Sequence, residues 1–76
     1  MPHIIIKLVR GRSDEQKTRL ADAVTKAVMD GVSVPEAAVS VAIEDIEPDR
    51  WTDDVYAPDI EGLWKQLYKK PGYEPS

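Results

Sequence analysis

Acid–base chemistry has few places to reside in this sequence, which holds no cysteine, a single histidine and no glycine-rich phosphate loop. The exception is the Met1-Pro2 pair. Methionine is removed readily when proline follows it, and removal leaves a secondary amine. An α-amino group titrates at about 7.7 to 8.0, and desolvation or a nearby cation lowers that value, so a processed Pro2 is suited to act as a general base near neutral pH. The plainer alternative is that Pro2 only begins a strand, where its missing N–H costs no ladder bond. A retained Met1 would leave the Pro2 nitrogen as a non-basic amide. His3, next along, is either a hydrogen-bond donor to a ligand or a partly exposed polar residue.

Charge narrows the partners. Lys and Arg number 10 against 14 Asp and Glu, a formal charge of −4, and no basic cluster is present. This argues against nucleic acid, because phosphate binding needs a basic patch that releases counterions. Any anionic ligand must be held by individually placed arginines. Arg12 and Arg50 both stand in turn-like surroundings, where the alternative is a solvated charge. No run approaches the roughly 18 apolar residues of a membrane span, and MPHIIIKLVR is too short and wrongly flanked for a signal peptide, so the cytoplasm is the expected compartment and no membrane partner is expected.

These side chains must be positioned by a small set of elements. From Pro2 to Val9, Ile4, Ile6 and Leu8 share one face of an extended segment, which predicts a strand punctuated by Gly11. Ser13 and Gln16 have capping-box spacing, so a helix starts there, with Leu20, Ala23, Val24, Ala27 and Val28 as its apolar stripe and Gly31 as its stop. Val39, Val41 and Ile43 alternate with Ser40, Ala42 and Glu44, a second strand. Strand, helix and strand in this order form a βαβ unit with parallel strands. Beyond the turn at Glu47 to Arg50 and the aromatic Trp51, the residues Ile60, Leu63, Trp64, Leu67 and Tyr68 predict a second amphipathic helix, with Pro58 in its first turn and Lys69-Lys70-Pro71-Gly72 as its end. The reading is one α+β domain over residues 1–76. A chain this short rarely stabilises itself with a single core, and without cysteine or a cluster of metal ligands the remaining staple is oligomerisation.

Met1-Pro2, the isoleucine-rich strand and the run Gly11-Arg12-Ser13-Asp14-Glu15-Gln16-Lys17 together resemble the 4-oxalocrotonate tautomerase family. The C-terminal segment ending Lys69-Lys70-Pro71-Gly72-Tyr73 is similar to the dimeric, PptA-type branch of that family. The resemblance implies a tautomerase (4-oxalocrotonate tautomerase/MIF-like) βαβ fold with a C-terminal helix, completed by association into a homodimer, with a hexamer as the alternative. It implies a cofactor-free isomerase moving a proton between the oxygen and carbon ends of a small 2-hydroxy-enoate or arylpyruvate-type acid, with Pro2 as the base and no metal. By position, Arg12 would hold the substrate carboxylate through its bidentate fork, and Trp51 would wall the site. Ser40 falls where the hexameric enzymes carry a second arginine, which puts dicarboxylate substrates in question. Arg50 is the candidate replacement cation, and His3 a candidate donor. Two other readings stay open: hydrolytic dehalogenation of a haloacrylate, and a non-enzymatic dimerisation module that keeps the fold.

Overall fold

The computed structural model describes residues 1–75 and groups the chain into two compact units, Met1–Asp45 and Ile46–Ser76. In the first, strand β1 (His3–Val9) and strand β2 (Ser40–Ile46) form a two-stranded sheet, and helix α1 (Asp14–Val32) connects them. Ser40 N donates to the Pro2 carbonyl at 3.2 Å, so the two strands begin side by side and run parallel, as the βαβ pattern requires. Gly11, at φ 130°, turns the chain out of β1 with a backbone that side-chain-bearing residues rarely adopt.

Helix α1 starts on the expected capping box. Ser13 Oγ accepts from Gln16 N at 3.1 Å while Gln16 Oε1 accepts from Ser13 N at 2.9 Å, and Asp14 and Glu15 complement the helix dipole. Its end and its inward face differ from the sequence reading. Gly31 stays helical, and the reversal falls at Ser33, φ 55°, because Pro35 keeps Val34 out of helical conformation. The half-buried stripe is Lys17, Leu20, Ala21, Val24, Thr25, Val28 and Met29, with Ala23 and Ala27 exposed. Two polar members are accommodated by partners: Lys17 Nζ pairs with Asp45 at the far end of β2, and Thr25 Oγ1 donates to the Ala21 carbonyl at 2.8 Å.

The second unit departs further from expectation. A short 3₁₀ turn, Pro48–Arg50, leads into a π-helical segment, Thr52–Glu61, and a second 3₁₀ turn covers Trp64–Gln66. The expected helix through Leu67 and Tyr68 is absent, and Pro58 sits inside the helical segment rather than in its first turn. A proline there cannot donate to the helical ladder and its ring crowds the carbonyl four residues back, which favours the wider turn. The turn closes with Gly62 N donating to Ala57 O at 2.8 Å. Val55 and Tyr56, 4% and 6% exposed, are the only buried apolar residues among those described. Tyr68 is fully exposed, and Leu63 and Trp64 are about two-fifths exposed, at 42% and 41%.

Gly62 is required by closeness, since a Cβ there would lie 2.7 Å from the Pro58 carbonyl oxygen and 3.0 Å from that of Ala57. Both obstacles are backbone and cannot swing aside. Gly62→Ala is therefore expected to lower unfolding free energy by about 1–3 kcal/mol, the usual range for overpacking, read from the shift in urea midpoint at fixed protein concentration.

Candidate active site

Parallel pairing brings Pro2, His3 and Ser40 to one place. A groove of about 340 Å³ opens at the start of the sheet, lined by Met1, Pro2, His3, Ala37, Ala38, Val39 and Ser40. Its walls are apolar because the 3₁₀ turn Glu36–Ala38 presents two alanines just before β2 begins. Pro2 enters the ladder only through its carbonyl, which accepts from Ser40 N, so its nitrogen is not needed for pairing. His3 and Ser40 meet across the strands, with His3 Nδ1 2.6 Å from Ser40 Oγ. Each residue was visible in the sequence singly. Their pairing follows only from register, for which the equal start points of two parallel strands would have been the signal; Ala37 and Ala38 carried no signal of their own.

Arg12 is not in this groove. Its Nη1 donates to the Val9 carbonyl at 2.9 Å, at the opposite end of β1 from Pro2. The intervening strand spans roughly 20 Å at about 3.3 Å per residue, so the Arg12 guanidinium and the Pro2 nitrogen of one chain cannot share a small substrate.

In the second unit, Trp51 is half-buried and its Nε1 donates to the Tyr73 hydroxyl at 2.9 Å. The Tyr73 ring in turn lies 5.6 Å from that of Tyr56, tilted by 57°. Tyr73 was not singled out by sequence reasoning, because a lone aromatic in a Pro-Gly tail has no periodicity to reveal a partner. Arg50 is engaged rather than available. Its Nη2 meets Asp54 Oδ1 at 2.7 Å, its Nε the other Asp54 oxygen at 3.4 Å, and its Nη1 Asp53 at 3.5 Å. The hydrogen bond and charge of Asp54, with Asp53 and Asp49, raise the guanidinium above its already high ordinary value. Arg50, expected as a candidate second cation, has its fork on Asp54, an i,i+4 neighbour. Among the described residues no three His, Cys, Asp or Glu side chains come together as metal ligands.

Comparison with known proteins points in one direction. The sequence profile of the family described as "Tautomerase enzyme" matches residues 2–54. A probable tautomerase of Xylella fastidiosa strain 9a5c is 47% identical over 73 residues, covering 96% of this chain and 89% of that protein. Tautomerase PptA of Klebsiella pneumoniae strain 342 is 45% identical over 74 residues, covering 96% of this chain and 97% of that one. Among solved structures, a 4-oxalocrotonate tautomerase isozyme from Methylibium petroleiphilum superposes with a TM-score of 0.64 at 38% identity, over 66% of this chain and 81% of its own. TomN, a 4-oxalocrotonate tautomerase homologue of the tomaymycin biosynthetic pathway, does so at 0.64 and 36%, over 66% and 77%.

Burial of Tyr56, with the nearby charges of Glu61, Glu74 and the ionisable Tyr73 hydroxyl, raises its phenol above the ordinary value. The folded chain then keeps a proton that the unfolded chain releases at about pH 10. Stability should be insensitive to this group below about pH 10 and should fall as pH rises above it, until the folded-state value is passed. Urea midpoints between about pH 9 and 11 should show the decline, and Tyr56→Phe should flatten it.

Proposed function

Since the chain belongs to the tautomerase family, with 4-oxalocrotonate tautomerases among its structural relatives, and is by that membership a tautomerase, we propose that it interconverts the keto and enol forms of a small 2-hydroxy-enoate or arylpyruvate-type acid, with the Pro2 amine as base. The observation that carries this reading is the groove at the start of the sheet, where a proline nitrogen free of ladder duty lies between alanine walls and a His–Ser pair. After loss of Met1, that nitrogen takes the enol hydroxyl proton and returns it to carbon. The apolar walls favour its uncharged, basic form.

The carboxylate is assigned to Arg12 of a second copy. Within one chain Arg12 is held at the far end of β1, so two β1 strands running in opposite senses would bring each Arg12 to the other's Pro2. The exposed Ile5, Val32, Leu63 and Trp64 support association, and the assembly proposed is a cytoplasmic homodimer, with the hexamer as the alternative. Trp51 is proposed as the aromatic wall. Hydrolytic dehalogenation is the weaker enzymatic reading, because no carboxylate is among the described residues of this chain that line the groove, and family membership speaks against a non-enzymatic module.

Pro2→Ala in the processed protein should lower kcat/KM on such an enol acid by at least about a hundredfold, with intact mass confirming Met1 removal; equal activity would remove Pro2 from the mechanism. Arg12→Ala should be similarly impaired. Unfolding and refolding the two inactive variants together should restore roughly a quarter of wild-type activity, because half of a statistical dimer mixture is mixed and each mixed dimer holds one intact site.

With Ser40 neutral and Arg50 held by Asp54, Arg12 is left as the one assigned carboxylate partner. A charged hydrogen bond of this sort contributes roughly 1.5–3 kcal/mol. Monocarboxylate enols are expected to be turned over better than muconate-like diacids, and Ser40→Arg should narrow or reverse the preference in paired kcat/KM measurements.

A further inference from the structure

One hydrogen bond in the Pro2 groove has no part in the proton transfer described above. His3 Nδ1 and Ser40 Oγ are 2.6 Å apart. The hydroxyl can donate to Nδ1 or accept from it, and which it does goes with the imidazole tautomer. Of the two arrangements, donation from Ser40 to Nδ1 is the one that leaves the imidazole a donor for a ligand. An imidazole that accepts at Nδ1 is neutral and carries its proton on Nε2. Apart from His3 and Ser40, the groove-lining side chains offer no oxygen or nitrogen to that Nε2–H, and among the described residues Ser40 is the side-chain partner of His3. In that arrangement the pair presents one neutral donor among the residues that line the Pro2 groove.

We infer that His3 Nε2–H donates to the substrate oxygen that loses its proton to Pro2, with Ser40 as the positioning residue that fixes the tautomer. This rests on the proline reaction proposed above. In that reaction the substrate O–H bond breaks as a Pro2 N–H bond forms, the oxygen's electron pair becomes the carbonyl π bond, and the C=C electrons take the proton back from Pro2 at carbon. Nothing is oxidised or reduced. Negative charge gathers on the oxygen between the two transfers, and a donor aimed at it strengthens as the barrier is approached, so its contribution falls on kcat rather than KM.

The chain's single histidine makes the test a one-residue spectrum. In ¹⁵N-labelled processed protein, the His3 ring should show an unprotonated, hydrogen-bonded Nδ1 and a protonated Nε2. Ser40→Ala should mix the tautomers and lower kcat by about tenfold, and Ser40→Thr, which keeps the hydroxyl, should recover both. His3→Phe, whose ring suits an exposed strand position, should lower kcat by about a hundredfold with KM changed less than about threefold. A wild-type spectrum with the proton on Nδ1, an unchanged kcat in His3→Phe, or losses confined to KM would each overturn the inference. An active wild type, an impaired Pro2→Ala and a fully active His3→Phe would overturn it alone and leave the proline reaction standing. A wild type that turns over no enol acid would overturn both.

Discussion

The backbone bond from Ser40 N to the Pro2 carbonyl is the constraint on which the site depends. It aligns the first residues of two strands that lie far apart in sequence, and side chains in a sheet follow register with a period of two. Slipping β2 by one residue would turn Ser40 to the opposite face and bring Val39 or Val41 opposite His3, replacing a polar pair by an apolar one. Register itself is held from both ends of the crossover. The Ser13 and Gln16 box fixes where α1 starts, Ser33 fixes where it ends, and Lys17 reaches across to Asp45 at the close of β2. The groove at Pro2 is thus held in place by residues that do not line it.

Legibility from sequence tracked how local each cause is. The capping box, the glycine turn at Gly11 and the two alternating strands are decided by neighbours within a few residues, and each stands where the residues indicated. The second helix was misread because periodicity at Ile60, Leu63, Trp64, Leu67 and Tyr68 reports which residues would share a face, not whether anything covers that face. A helical segment this short gains little from propensity alone and needs tertiary packing. Winding instead follows local anchors further upstream, where Arg50 clasps Asp54 and Asp53 one turn on and Val55 and Tyr56 are buried. The Arg50 to Asp54 contact has the i,i+4 spacing at which helical ion pairs form.

For the candidate site, residues could be singled out from sequence but their separations could not. Pro2, His3 and Ser40 converge because strand starts converge, which the βαβ pattern contains in principle. Arg12 was placed with Pro2 by motif, yet a seven-residue strand stands between them in one chain. A motif transfers residue identity without saying which copy supplies the residue.

That separation changes what association means for a chain of this size. Small domains commonly associate because they cannot bury enough apolar surface, and here only Val55 and Tyr56 are buried among the described residues. On stability grounds alone, any sufficiently apolar contact would serve. The Arg12 geometry is more demanding, since a substrate carboxylate reaches a guanidinium near Pro2 only if two β1 strands meet in opposite senses and at matched ends. Under the proposed function, the orientation of the interface and the composition of the site are therefore one requirement. A substitution that preserved affinity between copies but shifted their register by two residues, roughly 7 Å along the strand, would leave every fold element intact and still separate the base from the group that holds its substrate.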